Sequence, residues 1–442
     1  MQKTISVKGG VNDKPTTEEI AQMKMIAMTS IVKQERQLLV CVDVCAASLD
    51  VHARVERADG QCFALIDQWA NRTGPIRAGL AEVLAVARTH GYAQLKVACE
   101  ATGSYEQGLL REARQMGCAV AYVSGEAVAK ARVIESNDSG KTDTKDPRVI
   151  RVVAEQKCLV ARELPPGYAQ LRELNRIFEQ EGGLVAQLKN QLQAQIRRQF
   201  PDLRRLPDLL DKRLAEVLAE EYAWNPHRIV ADTWEQFVQR VKGRLPRTRW
   251  EVLEHVYADA KSSALHLVAE ADVALGEQRV RELWADYQQH LERKEGYRQQ
   301  RVAVYQTLPE AAKLAPLGLS ASLLAGVIAE TGPLRDFGNA RQLLRYAGLN
   351  LRERSSGTYK GKVRLSKKGR APLRQALYKL VMFGMSGSHG MWNQLLQEKK
   401  KELANGLKAV VLLMRKALRM LFGLAKSTAA FDPRRIPQAK AA

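Results

Sequence analysis

Three stretches near the start of the chain are apolar or alternate apolar with polar positions: LLVCVDVCAAS from Leu38, LDVHARVERADG from Leu49 and QCFALIDQWA from Gln61. Short polar breaks separate them, and their Val and aromatic content predicts three successive strands. The period then changes. PIRAGLAEVLAVARTHG, from Pro75, places apolar residues every three or four positions and predicts a helix. LKVACEA predicts a short buried strand, YEQGLLREARQMG a helix ending at Gly117, and CAVAYVSG a further strand.

After Pro147 strands are expected to stop. Leu184, Leu188, Leu192 and Ile196 form one apolar stripe, and Val280, Trp284, Tyr287 and Leu291 form another. Both stripes predict long helices that seam together within one chain or pair two chains, and the spacing does not choose. Between them, residues 201–265 read as a helical insertion. From Leu308 two amphipathic helices lead into NLRERSSGTYKGKVRLSKKGRAPLRQALYK, which carries ten Lys or Arg against one acid, Glu353. The expected fold class is therefore α/β plus α. A mixed sheet whose strand order suits an RNase H-like fold precedes a helical coiled-coil middle and a mostly helical carboxy-terminal domain.

Composition narrows the partners. The 442 residues carry 69 Lys or Arg against 48 Asp or Glu, a formal charge of +21. A field of that sign attracts polyanions, nucleic acid first. No apolar run approaches the ~20 residues of a spanning helix, so no membrane partner is expected. Six cysteines lack CxxC pairing or a histidine at zinc-ligand spacing and read as buried thiols of a reducing, cytoplasmic compartment. Residues 1–36 and 428–442 read as flexible ends, and Met23, Met25 or Met28 would serve equally as a start.

The candidate chemistry is acidic. Asp43 stands inside an apolar strand, where an ionised carboxylate is costly unless paired or metal-bound. Glu100 ends the strand LKVACE, and strand ends line the ligand crevice of open α/β sheets. Asp143 and Asp146, three apart in SGKTDTKDP, share a face if helical. Four converging hard oxygen donors suit Mg²⁺, with Mn²⁺ as a substitute, and two such ions assist phosphoryl transfer. Blander readings compete. Asp146 before Pro147 is also an expected N-cap, Asp43 a hydrogen-bonded structural acid, and Glu100 the cap of a turn.

CVDV with Asp43, CEATGSYE with Glu100 and KTDTKDPRVIRVVAE with Asp143 and Asp146 resemble the DEDD-type transposases of insertion sequence family 110, relatives of the Piv pilin-gene inverting recombinase. YAGLNLRERSSGTYKGKVRLSKKGRAPLRQALY resembles the second conserved block of that family. The resemblance implies a RuvC-like nuclease domain over residues 37–160, a coiled coil over 161–305 and a transposase domain over 306–427. It implies Asp43, Glu100, Asp143 and Asp146 as metal-holding catalytic acids, and a serine nucleophile. By position in the motif that serine is Ser356, with Ser355 the adjacent rival. Attack on a phosphodiester would leave a covalent phosphoserine. The implied partners are donor and target double-stranded DNA, a structured noncoding bridge RNA, and further copies of the chain as a dimer or tetramer. Lys141, Arg354, Lys360, Lys362, Lys367, Lys368, Arg370 and Arg374 are the expected nucleic-acid contacts, against a solvated basic face as the alternative. A Piv-type invertase and a hydrolytic Holliday-junction resolvase remain alternatives.

Overall fold

The structure, a computed structural model, describes residues 36–101, 103–136, 146–203, 209–265, 270–353, 355–356, 359–361, 363–385 and 391–427. The chain divides into two compact units, Met1–Glu163 and Leu164–Ala442.

In the first unit β1 (Gln37–Val44), β2 (Ser48–Glu56) and β3 (Cys62–Ala70) form an antiparallel meander. Then follow α1 (Thr73–Thr89), β4 (Gln94–Glu100), α2 (Gln107–Gln115), β5 (Ala119–Val123), α3 (Gly125–Ser136), α4 (Asp146–Gln156) and β6 (Leu159–Val160). The sheet order is β3-β2-β1-β4-β5-β6, with β4 parallel to β1 and β5 parallel to β4. Three hairpin-linked strands with two parallel strands added beside the first make the RNase H-like arrangement expected from the strand and helix order. Strand β6 was not expected: two residues give no periodicity to read.

Alternation assigns the faces. Val40, Val42, Leu49, Val51, Leu95 and Val97 pack against α1 and α2. Cys41 and Ala98 point the other way, against Val128 of α3 and Val149, Ile150 and Ala154 of α4. Trp69 is clamped under α1, where a Cβ at Gly79 would fall 2.2 Å from its ring.

The second unit begins with α5 (Pro166–Gln199), followed by α6 (Arg213–Tyr222), α7 (Pro226–Ala231), α8 (Trp234–Arg244), α9 (Trp250–Ser263) and α10 (Glu270–Gln306). Helices α5 and α10 run antiparallel, since Asn175 meets Arg301, Glu181 meets His290 and Gln199 lies by Gly276. The two apolar stripes are covered within the chain. Leu192, Ile196, Val280, Trp284 and Tyr287 share a core with Trp224, Phe237 and Tyr257 of the insertion.

A second core gathers α11 (Pro309–Leu314), α12 (Ala321–Thr331), α13 (Ala340–Tyr346), α14 (Ala371–Lys379), the π-helical turn Leu380–Met385, α15 (Met391–Leu403) and α16 (Gly406–Lys426). Tyr168, Leu171 and Tyr305 bring the other end of the helical pair into it.

The basic block forms short strands before it enters α14. Strands β7 (Leu351–Arg352) and β10 (Arg364–Leu365) pair antiparallel, as do β8 (Ser355–Ser356) and β9 (Tyr359–Lys360). The nested ladders make a ribbon. Between the register pairs Arg352↔Arg364 and Ser355↔Lys360 the return side has one residue more in sequence than the outgoing side. Two-residue strands are too short for a period-two signal to be read from them. Among the described residues no helix is long and apolar enough to cross a membrane.

Candidate active site

Strand register builds the acidic site. Asp43 pairs with Asp50 across the β1–β2 ladder, and the parallel β1–β4 ladder pairs Val42 with Cys99, which sets Asp43 beside Glu100 one residue further. In-register neighbours share a face, so Asp50, Asp43 and Glu100 form a row on the side covered by α4. Asp43 and Asp50 are both buried. Asp43 Oδ1 accepts from the Val44 amide at 3.0 Å, and Asp50 Oδ1 accepts from Gln68 Nε2 at 2.8 Å. Asp50 was missed in the sequence because LDVHARVE reads as an ordinary alternating strand, and only the hairpin register places it opposite Asp43.

Glu100 reaches the start of α3. A Cβ at Gly125 would lie 2.9 Å from Glu100 Oε2, so the missing side chain is what admits the carboxylate there. The loop after Glu100 is held by Glu106, which is buried and accepts from the Ser104 amide and from Tyr122 Oη. Ser104 takes φ 108°, a strained value for a residue with a side chain. Asn71 ties this loop to the one after β1, its Nδ2 donating to Cys45 O at 2.8 Å and Tyr105 O at 3.1 Å.

Asp146 opens α4 and is buried, and Arg132 of α3 donates to its Oδ1 at 2.8 Å. The helix therefore begins on a charge-assisted pair, and Oδ2 is not engaged by Arg132. Asp143 lies outside the described residues, as do Lys141, Arg354 and Lys362. Among the described residues no three His, Cys, Asp or Glu side chains converge closely enough to hold a metal ion. The donor chemistry nevertheless fits a hard divalent cation: oxygens only, with two carboxylates abreast at the carboxyl edge of parallel strands, whose mutual repulsion a cation offsets.

His52, opposite Cys41 and two residues from Asp50, shares the face covered by α4. Burial, then the nearby Arg151 and Arg148, hold its pKa below the ordinary 6.5. Burial pushes the Cys99 thiol up to about 12 and the Cys41 thiol higher still. All six cysteines are free, and Cys62 is exposed, which corrects the reading of uniformly buried thiols.

In the second unit Ser356 closes the inner ladder of the ribbon, opposite Tyr359. The outer end is cinched by backbone contacts. Lys367 N donates to Gly348 O and Arg370 N to Tyr346 O, while Gly369 lies so near that a Cβ would stand 2.4 Å from Gly348 N. Gly348 has φ +68°, where a side chain would be strained.

Residues 46–201 match the profile of DEDD transposases of the IS110 type, described as Transposase, and residues 317–394 match the Transposase IS116/IS110/IS902 family. The chain belongs to the IS110-type DEDD transposases. It is thereby a DNA-cleaving enzyme. Among solved structures the transposase is similar to T. thermophilus RuvC in complex with Holliday junction substrate, at 15% identity over 28% of this chain and 100% of that one, with TM-score 0.21. The Thermus thermophilus RuvC structure gives 15% identity over 29% and 85%, with TM-score 0.18. None of the curated proteins matches.

The transposase profiles cover Asp50, Glu100 and Asp146 and, in the second unit, the ribbon, while Asp43 lies three residues before the first match begins. Of the basic residues expected on nucleic acid, Lys367 and Lys368 are exposed beside the ribbon's base, and Lys360 lies in β9. Arg370 and Arg374 have internal partners: Arg370 Nε donates to Glu330 Oε2 at 2.5 Å, and Arg374 Nη1 to the carbonyls of Ala347 and Gly369. These two arginines hold the ribbon's stem.

Proposed function

We propose that the transposase cuts and exchanges DNA strands through a covalent phosphoserine on Ser356, with Asp43, Glu100, Asp143 and Asp146 as the acids that make the phosphodiester reactive. The observation that carries this reading is the placement of Asp43 beside Glu100 at the carboxyl edge of the sheet. Held by these oxygens, Mg²⁺ or Mn²⁺ would withdraw charge from the scissile phosphate and acidify a nearby hydroxyl.

The protein's own groups then have separate tasks. Ser356 Oγ forms a bond to phosphorus as the bond to the 3′ oxygen breaks, and the hydroxyl proton ends on that oxygen. The energy of the phosphodiester is thus kept for rejoining. Asn71 and Glu106 hold the loops on either side of the acid row. Lys360, Lys367 and Lys368 meet phosphates and position a duplex without reading its sequence. Choice of sequence is assigned to base pairing with a structured RNA. Cutting two DNAs with one serine per chain calls for at least two chains, and the covered stripes of α5 and α10 direct that contact to another surface.

Full-length protein copurified with its RNA, incubated with labelled donor DNA and Mg²⁺ and then denatured, should carry label on wild type and none on Ser356→Ala. Label persisting on Ser356→Ala would remove the serine assignment. Cleaved DNA with unlabelled protein would replace it with attack by water.

A further inference from the structure

In the second unit α5, α10, α12 and α14 surround a cleft of about 360 Å³, remote in sequence from the ribbon strands and the acid row. Arg301 lines it and is only 3% exposed. Its Nη1 donates to Asn175 Oδ1 at 2.5 Å and its Nη2 to Ser322 Oγ at 2.7 Å, both neutral acceptors, and its Nε has no acceptor. Lys294 is a second cation on the cleft. The single carboxylate of the lining, Glu179, is committed to an ion pair with Lys379.

A guanidinium this buried is costly to desolvate, and the carboxylate that stabilises it, Glu179, is shared with Lys379. Burial brings its pKa down to about 10. Phe178, with its ring centroid 4.0 Å from the guanidinium carbon, offsets part of that cost. The lining carries three cations, Lys294, Arg301 and Lys379, against the single anion Glu179, and an added anion would offset the excess. Space has also been left for it: Gly183 lines the cleft in mid-helix, where glycine is disfavoured against alanine, although a Cβ there would meet nothing within 4 Å.

We propose that this cleft binds a phosphoryl group, held by the Lys294 ammonium in the field of Arg301. The volume admits an attached sugar, which Leu323 and Ala376 would meet with apolar surface. The phosphoryl group belongs either to a nucleic-acid backbone, a source that rests on the DNA-handling function above, or to a free nucleotide, which does not.

The test is thermal unfolding of the full-length protein at matched ionic strength with inorganic phosphate, adenosine monophosphate or a short single-stranded oligonucleotide, on wild type, Lys294→Gln and Ser356→Ala. Protection of wild type by phosphate and the mononucleotide, with affinity about tenfold weaker in Lys294→Gln, would establish a site for free phosphoryl ligands. Protection by the oligonucleotide alone, with the same dependence on Lys294, would assign the cleft to a strand. Ser356→Ala should bind as wild type does, so loss of the serine mechanism would leave this result standing. Equal affinity in wild type and Lys294→Gln, or no protection by any of the three, would overturn the site. Arg301→Lys, if it folds, should bind weakly; if it does not fold, Lys294→Gln alone decides.

Discussion

Glu330 Oε2 accepts from Arg370 Nε at 2.5 Å, while Glu330 Oε1 accepts from Asn175 Nδ2 at 2.9 Å. One buried carboxylate thus joins α5 to the residue that caps α14 and closes the ribbon's stem. Through Asn175 the line continues to Arg301 of α10.

Removing that charge strands Arg370, whose side chain is 32% exposed and keeps some water. Glu330→Gln is expected to destabilise the second unit by about 2–3 kcal/mol, read from chemical unfolding. Arg370→Met should cost less alone and add little to Glu330→Gln, since the two share one interaction. Full additivity would mean that the pair contributes nothing.

Gly125 tests the acid row without touching an acid. Gly125→Ala puts a carbon against Glu100 Oε2, and the carboxylate must move. Gly125 does not sit at positive φ, so alanine meets no backbone strain there and the fold should hold. Cleavage is expected to fall roughly tenfold or more, since small displacements of catalytic groups are expensive. Unchanged cleavage would place Glu100 outside the reaction.

Arg352 and Arg364 stand opposite each other on the ribbon, an arrangement that costs stability across a ladder. Phosphates would relieve it. Arg364→Gln should lower the slope of log affinity against log salt by ~0.9 for duplex DNA and leave unfolding midpoints unchanged or raised. A slope equal to wild type would exclude a phosphate contact at this residue.

His52 gives the first unit an acid-sensitive point. Its folded pKa lies below 6.5, so the folded state resists the proton and the unfolded state takes it. Stability is therefore full above the unfolded value and is lost as pH falls through it. Arg151 and Arg148 oppose protonation from α4, and Glu155 favours it weakly. The unfolding midpoint should drop between about pH 7.5 and pH 5.5 in wild type and drop less in His52→Gln.

The chain's own pattern determined the sheet. The apolar run LLVCVDVC, the alternation in LDVHARVE and the change of period after Ala70 are local consequences of burying the faces of a strand or a stripe of a helix, and the succession of the first five strands follows. Asp43 and Glu100 were legible for the same reason, each being a charge that interrupts or ends an apolar run. Register was not legible. Asp50 joins Asp43 only because the hairpin pairs them, and Arg370 turns from a phosphate contact into a stem anchor only because Glu330, 40 residues earlier, is buried beside it. The ribbon was hidden because its pairing is made by backbone hydrogen bonds that any side chain permits, whereas periodicity records only which side chains avoid water. For the stripes on α5 and α10 the sequence left two partners open. The fold chose by laying the insertion over them, since the nearest apolar surface was already tethered in the same chain.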